Sequence, residues 1–260
     1  MIFLSYILLG AFAGLLAGVF GVGGGIVIVP ALVFMFAFNG FSPDVAMHPA
    51  VGTSLSTILF TSLSAIFVHH KKGAINWPLA LNLSAGMLVG GFVGAYAADF
   101  LPGELLQKTF AAYSFVVAVQ MWLSWKPKSE WILPDRFGCG VLGAVIGSFS
   151  GIFGIAGGSI VVPVLTAYRV KISESIATSS VTGFPLAISG TIGYLLIGLK
   201  ADDLPDHSVG YIYLPALIGI ILTSTLFAKI GASLTHSLEP NKMKKMFAVL
   251  LFIIGLKLIV

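Results

Sequence analysis

One glycine-rich phrase occurs twice in the sequence. Residues 18–30 read GVFGVGGGIVIVP, and residues 151–163, which begin 133 positions later, read GIFGIAGGSIVVP. Two copies predict a chain built from two related halves. Each phrase interrupts an apolar run with residues that carry almost no side chain. Membrane proteins tolerate such interruptions only where the backbone is buried in protein or lines a watery cavity, so the phrases also indicate where a solute binds.

The composition excludes a soluble globular protein. Hydrophobic residues make up 57% of the 260 residues and charged residues only 9%. Because apolar stretches long enough to cross a bilayer recur along the whole length, we predict an all-α polytopic integral membrane protein. The first residues carry no Lys or Arg, so the opening apolar run is interpreted as a membrane segment and not as a cleavable signal peptide. The single cysteine, Cys139, excludes disulfides within the chain and multi-cysteine metal sites.

Apolar runs between polar residues predict five membrane segments in each half. The halves are predicted as two repeats, residues 1–130 and 131–260. Further anchors support the duplication: Thr53-Ser54 recurs as Thr178-Ser179 at a spacing of 125, and Gly94-Ala95 recurs as Gly231-Ala232 at a spacing of 137. The run at 158–168 is too short to span about 30 Å as a helix and predicts a half-depth helix. The ten segments are 2–20, 25–38, 45–68, 78–98, 104–124, 137–153, 158–168, 174–198, 211–234 and 241–260.

The basic residues favour five crossings in each half. With five, the 14 Lys and Arg residues divide eleven to three between the two sides; with four, each phrase lying inside one long helix, they divide seven and seven. Cytoplasmic loops carry an excess of Lys and Arg. The uneven division therefore predicts inverted repeats in the cytoplasmic membrane, with both termini outside. A re-entrant hairpin has the same parity as two full crossings, so that alternative stays open. The eleven are Lys71, Lys72, Lys126, Lys128, Arg136, Arg169, Lys171, Lys229, Lys242, Lys244 and Lys245.

The glycine phrases predict broken or re-entrant helices that meet near the membrane midplane, as in transporters with inverted repeats. Main-chain N–H groups are uncovered there, just before a helix N-terminus that carries a positive dipole, and such a place suits an anion. The alternative is that the glycines only allow close helix packing. Pro30 and Pro163, about one turn beyond, are expected to loosen the helices. The candidate glycines are Gly21, Gly23, Gly24, Gly25, Gly154, Gly157 and Gly158.

Two hydroxyl clusters are the second candidate element. Their oxygens can donate to an oxyanion without bringing a fixed charge into lipid, although Ser and Thr also join membrane helices to one another. Both interpretations stay open from the sequence. The clusters are Thr53, Ser54, Ser56 and Thr57 in the first half, and Thr178, Ser179, Ser180 and Thr182 in the second.

No Asp or Glu falls clearly inside a hydrophobic run, and this absence is informative. Buried acids mark proton and cation pathways, so a cation mechanism is disfavoured. His48 is interpreted either as an entry residue for an anion or as an interfacial residue at a helix end, and Pro185 is expected to kink its helix. The six acidic residues weighed, all at connectors, are Asp44, Asp99, Glu104, Asp202, Asp203 and Asp206.

The paired phrases, each ending in Pro and followed by a Thr-Ser element, resemble the TauE/SafE sulfite exporter family, also called TSUP or 4-toluene sulfonate uptake permeases. The resemblance covers essentially the whole chain. It implies transport of small sulfur-containing or organic anions, with the phrases and the hydroxyl clusters as the translocation site. The second copy departs by carrying Ala156 for a glycine and Ser159 where the first has Ile26, which predicts unequal half-sites with an added hydroxyl donor.

The sequence therefore predicts a secondary transporter for a small anion that works by alternating access. The partners expected are the substrate and the lipid bilayer, with no nucleic acid and no cofactor, and a homo-oligomer is left open. A membrane scaffold or assembly protein is the alternative from another class, and a metal-ion permease is a further one that lacks suitable ligands in the spans. An intramembrane enzyme is disfavoured because no nucleophile and base, or pair of buried acids, is found.

Overall fold

The computed structural model describes residues 2–21, 23–123, 132–201, 204–234 and 240–259. These residues form helices and one short strand pair, Ser208–Val209 (β1) with Ile212–Tyr213 (β2). The helices are α1 (Ile2–Phe20), α2 (Gly25–Phe38), α3 (Pro43–Lys71), α4 (Trp77–Asp99), α5 (Gly103–Leu123), α6 (Arg136–Phe153), α7 (Gly158–Ala167), α8 (Ile172–Gly198), α9 (Leu214–Leu234) and α10 (Pro240–Ile259).

The helices confirm the all-α polytopic fold. Within the described ranges, six helices are long and apolar enough to cross a membrane. The two helices that follow the glycine phrases are short. Helix α2 has 14 residues and α7 has 10, so their lengths are about 21 and 15 Å. Both are therefore shorter than the hydrocarbon core. Lys126, Lys128, Asp202 and Asp203 lie outside the described residues.

The ninth helix begins three residues after the start of its predicted segment. The segment expected from residue 211 begins only at Leu214, because residues 208–213 form an antiparallel hairpin that turns at Gly210. Gly210 has a φ of +56°, a left-handed conformation that glycine adopts without steric cost. The hairpin therefore lies directly before α9.

Helices of one half pack mainly against helices of the other. The most extensive pairs are α4 with α6 and α1 with α9, and α3 also packs against α8 and α5 against α10. In the predicted repeat, α6 corresponds to α1 and α9 corresponds to α4. The packing of α4 against α6 is therefore the counterpart of the packing of α9 against α1. This reciprocity supports the duplication. The repeat boundary at 130/131 and the inverted orientation stay predictions.

Two hydrogen bonds between helix ends bear on the number of crossings. Gln107 Nε2 donates to the carbonyl of Leu258 at 2.8 Å, and Lys72 Nζ donates to the carbonyl of Ser233 at 3.2 Å. Five segments per half place each pair on one side of the membrane, whereas four would separate both pairs by its thickness. These bonds favour five, and which side faces the cytoplasm stays a prediction.

Glycines spaced about one turn apart form the seams of the two largest helix pairs. In α4, a Cβ added to Gly90 would lie 2.7 Å from the main-chain nitrogen of Ser148; in α1, one added to Gly14 would lie 2.6 Å from the Cα of Ser224. Neither seam has room for a side chain at these points. Small residues thus bring the backbones together, as is common between membrane helices.

We predict that Gly90→Ala lowers the free energy of unfolding by about 1–3 kcal/mol, because the new methyl collides with the backbone of α6. Thermal unfolding of the purified protein in detergent measures the effect. Gly140→Ala, on α6, is the matched control, because no atom lies within 4 Å of its added Cβ. The control is expected to match the wild type or exceed it. Equal melting temperatures for Gly90→Ala and the wild type would contradict a close seam.

Candidate functional site

The turns of the two glycine phrases lie against each other. A Cβ added to Gly25 would lie 2.9 Å from the Cα of Ile155, and one added to Gly23 would collide with the side chain of Ala156. Ile155 and Ala156 are buried. The turns from which α2 and α7 start therefore lie together inside the protein, while the depth of the turns in the membrane stays a prediction.

The two turns share their first residue conformation and then diverge. Gly21 and Gly154, which end α1 and α6, both have a φ of +66°, the left-handed conformation typical of helix C-termini. Gly24 also has a positive φ, +80°, whereas its counterpart Gly157 has a φ of −47°. The second turn therefore needs fewer left-handed residues, which explains how it accommodates Ala156. This asymmetry agrees with the expectation of unequal half-sites.

Two serines connect the halves reciprocally. Ser54 Oγ of α3 donates to the carbonyl of Gly154 at 2.7 Å, and Ser179 Oγ of α8 donates to the carbonyl of Gly21 at 3.3 Å. Both serines are buried, and they occupy equivalent positions of the repeat. Ser179 Oγ also lies 2.8 Å from the carbonyl of Ile176 in its own helix. Because a serine hydroxyl has one proton, Ser54 is the firmer donor to the turn of the opposite half, and Ser179 shares its proton between two carbonyls.

The neighbouring threonines act as acceptors. Thr53 Oγ1 accepts the N–H of Tyr213 at 2.9 Å, and Thr178 Oγ1 accepts the N–H of Asn76 at 3.4 Å. Tyr213 and Asn76 directly precede α9 and α4, so this contact is also repeated in both halves. A hydroxyl that accepts an N–H keeps its own proton to donate. Thr53 and Thr178 therefore keep a proton to donate, although neither lines the small cavity beside the turns.

The other clustered hydroxyls bond within their own helices. Each donates to a carbonyl three or four residues earlier, a common arrangement for Ser and Thr in helices. These bonds are compatible with a purely structural role, and their predicted part in substrate binding stays a prediction. They run from Ser56 to Gly52, from Thr57 to Ser54, from Ser180 to Ile176 and from Thr182 to Ser179.

Ser159, the hydroxyl peculiar to the second phrase, bonds a residue that the sequence analysis missed. Its Oγ lies 2.6 Å from the hydroxyl of Tyr113 on α5, and the Tyr113 ring stacks on Phe153 at 5.3 Å. The repeat matches Tyr113 to Leu250 and Ser159 to Ile26, so a polar pair in one half replaces two apolar residues in the other. That paired difference is the signal in the sequence that identifies Tyr113.

A small cavity adjoins the turns. Its volume is about 10 Å³, roughly the room that one water requires. Two of its hydroxyls, Thr61 and Ser62, were missed; they extend the hydroxyl row of α3 by one further turn. The cavity is lined by Ala17, Gly21, Gly23, Thr61, Ser62, Ala65, Ala156, Ser179, Ser180 and Gly183.

The site is electrically neutral except for its helix dipoles. In the described part of the chain, the buried polar side chains are Ser, Thr and two His, with no Asp, Glu, Lys or Arg among them. The starts of α2 and α7 contribute partial positive charge and main-chain N–H groups that have no partner within their own helices. Pro30 and Pro163, each inside the short helix concerned, also remove a main-chain donor.

His48 is buried and does not form an exposed helix end. It is 7% exposed, its Nε2 lies 3.0 Å from the carbonyl of Ala98, and its ring stacks on Tyr211 at 5.2 Å. Burial and the nearby charge of Asp99 raise the pKa of Tyr211, so this phenol stays protonated at neutral pH. A role for His48 in anion entry stays a prediction. The ring of Tyr211 covers one face of the imidazole.

The β1–β2 hairpin packs over the part of α3 that carries His48, Gly52 and Thr53. The carbonyl of Tyr211 leaves no room for a side chain at Gly52, and Tyr213 bonds Thr53. The connector that carries the hairpin runs from 199 to 213, whereas its counterpart in the first half runs only from 72 to 76. The hairpin therefore breaks the symmetry of the repeat at one end of the molecule.

Pro185 lies inside α8 at mid-helix, as the sequence predicts.

Comparisons with known proteins agree with the architecture. The family described as "Sulfite exporter TauE/SafE" matches residues 6–258. A "probable membrane transporter protein" of Haemophilus influenzae is 37% identical over 97% of this chain and 96% of its own. One of Methanocaldococcus jannaschii is 29% identical over 96% and 92%, and YunE of Bacillus subtilis is 25% identical over 100% and 98%. No solved structure matches the chain.

We predict that Ser54→Ala lowers the free energy of unfolding by about 1–3 kcal/mol, because it leaves the buried carbonyl of Gly154 without this donor. Ser179→Ala is expected to lower it less, because its bond to the turn is longer. Thermal unfolding in detergent measures both. Ser56→Ala is the control, since Ser56 bonds only its own helix. A loss for Ser56→Ala as large as that for Ser54→Ala would argue against a special link between the halves.

Proposed function

The chain belongs to the TauE/SafE sulfite exporter family of membrane transporters, and on this premise we propose that it moves a small anion such as sulfite, an organosulfonate or a related organic acid across the cytoplasmic membrane. One observation carries the proposal. Two glycine turns, each of which starts a helix, touch in a buried, neutral region that is lined by hydroxyls of both halves.

The chemistry of this region favours an anion over a cation. Helix N-termini bind anions through unpaired N–H groups and the positive end of the dipole. Thr53 and Thr178 add hydroxyl protons without adding charge. Among the described residues, no group of His, Cys, Asp and Glu is placed to hold a metal ion. In the proposed site, the N–H groups at the starts of α2 and α7 hold the anion oxygens and the two threonines complete the shell.

The small size of the cavity supports transport by alternating access. A space of about 10 Å³ takes roughly one water and not a three- or four-oxygen anion, so an anion enters only if helices move. In the proposed cycle, one repeat rocks against the other around the touching turns, and the serine bonds between the halves break and re-form. The hairpin over His48 closes one end, and the basic loops lie in the cytoplasm with both termini outside.

We predict that the anion which is transported raises the melting temperature of the purified protein in a concentration-dependent way. A ligand at a hundred times its Kd stabilises the folded state by about 2.7 kcal/mol. The panel contains sulfite, sulfate, thiosulfate, sulfoacetate, taurine and acetate. Uptake into proteoliposomes then establishes that the stabilising anion is also carried.

Threonine variants locate the site. Thr53→Val and Thr178→Val keep the side-chain shape and remove the hydroxyl, so we expect them to abolish the anion-dependent shift, while Thr53→Ser and Thr178→Ser retain it. Thr109→Val is the control, because Thr109 bonds only carbonyls of α5. An undiminished shift in both valine variants would remove the threonines from the site. No shift and no uptake with any anion would reject the substrate class.

A further inference from the structure

We propose that the groove between α5 and α10 binds an anionic phospholipid, with its acyl chain along the groove and its headgroup at Lys245. The groove has a volume of about 350 Å³, within the usual range for small-molecule sites. It lies away from the glycine turns, and the proposal goes beyond transport.

The shape of the groove arises from two alanines. Ala118 of α5 and Ala248 of α10 are buried and form its floor, while Trp122 and Phe252 stand beside them half exposed. Small residues between bulky ones leave a channel between two helices that otherwise pack closely. Because all the lining side chains are apolar, the channel suits a hydrocarbon chain and offers nothing to a polar solute.

The two ends of the groove differ. At one end, Phe115 and Phe252 meet edge to face at 5.3 Å. At the other, Lys245 Nζ lies 5.8 Å from the centre of the Trp122 ring. Lys245 is exposed, so its ammonium is accessible to a headgroup. An apolar channel that ends at a tryptophan and a cation matches a lipid whose tail is apolar and whose headgroup is negative.

The charges on α10 strengthen the choice of an anionic headgroup. Lys242, Lys244 and Lys245 all fall in its first six residues, and the helix contains no acidic residue. Cations are unfavourable at a helix N-terminus, where the dipole is already positive. A phosphate beside Lys245 offsets that unfavourable charge. A second copy of this chain would bring a second Lys245 to the contact, so charge complementarity favours the lipid.

Lipid binding to the full-length protein tests the proposal. Native mass spectrometry and thermal unfolding in detergent compare phosphatidylglycerol with phosphatidylcholine of identical acyl chains. We expect phosphatidylglycerol to bind more tightly and to raise the melting temperature more, and Lys245→Gln to weaken its binding about fivefold. Lys257→Gln is the matched control, because Lys257 also lies on α10 over an aromatic ring, that of Phe34. It should bind phosphatidylglycerol like the wild type.

Two further arms separate the acyl chain from the headgroup. Ala248→Leu fills the floor and should abolish the preference; Trp122→Ala, at an exposed position, should weaken binding severalfold even if the first variant fails to fold. Glycerol phosphate, which lacks acyl chains, should not stabilise the protein. Equal binding of both lipids, equal effects of Lys245→Gln and Lys257→Gln, or a dimer that buries the groove would overturn the proposal. None of these readouts depends on anion transport.

Discussion

The close contact between two stretches of bare backbone organises the centre of this protein. Gly25 lies against Gly154 with no side chain between them, and Ser54 of one half donates to the carbonyl of Gly154 in the other. A buried polar group left without a partner costs about 1–3 kcal/mol. The second turn is therefore completed by a serine of the first half. The same contact holds together the two turns from which α2 and α7 start.

Backbone proximity also governs the surrounding helices. The seams of α4 with α6 and of α1 with α9 depend on glycines that admit no side chain, because lipid tails are as apolar as the helices and association relies on close packing. The α5 and α10 pair differs, since bulky side chains flank small ones and leave an open groove. Close packing at the centre and a groove at the periphery correspond to the two proposed ligands, an anion and a lipid.

Much of the fold could be predicted from the sequence. Helix positions follow from apolar runs and connectors, and the shortness of α7 follows from its length in residues. The ninth helix starts later than the apolar run predicted because Ile212 and Tyr213 are apolar enough for a membrane segment but pair as a strand with Ser208 and Val209. The composition of these residues does not distinguish a strand pair from the start of a helix, because the hydrogen bonds across the turn decide which one forms.

The sequence predicted which segments form the candidate site. It did not predict which side chains contact one another there. Glycines and hydroxyls were identified, yet Tyr113 was missed because it reaches the site from α5, a helix remote in sequence from Ser159. Thr61 and Ser62 continue a predicted cluster on α3 and were missed because only the packing of that helix places them at the cavity. The sequence by itself determined that the chain is an all-α membrane protein, because the length and repetition of apolar runs can be read along the chain; the division into two repeats stays its prediction. Only the tertiary structure decided which hydroxyl donates and which accepts. Ser54 and Thr53 are neighbours in the chain, and their opposite roles are set by partners a hundred or more residues away.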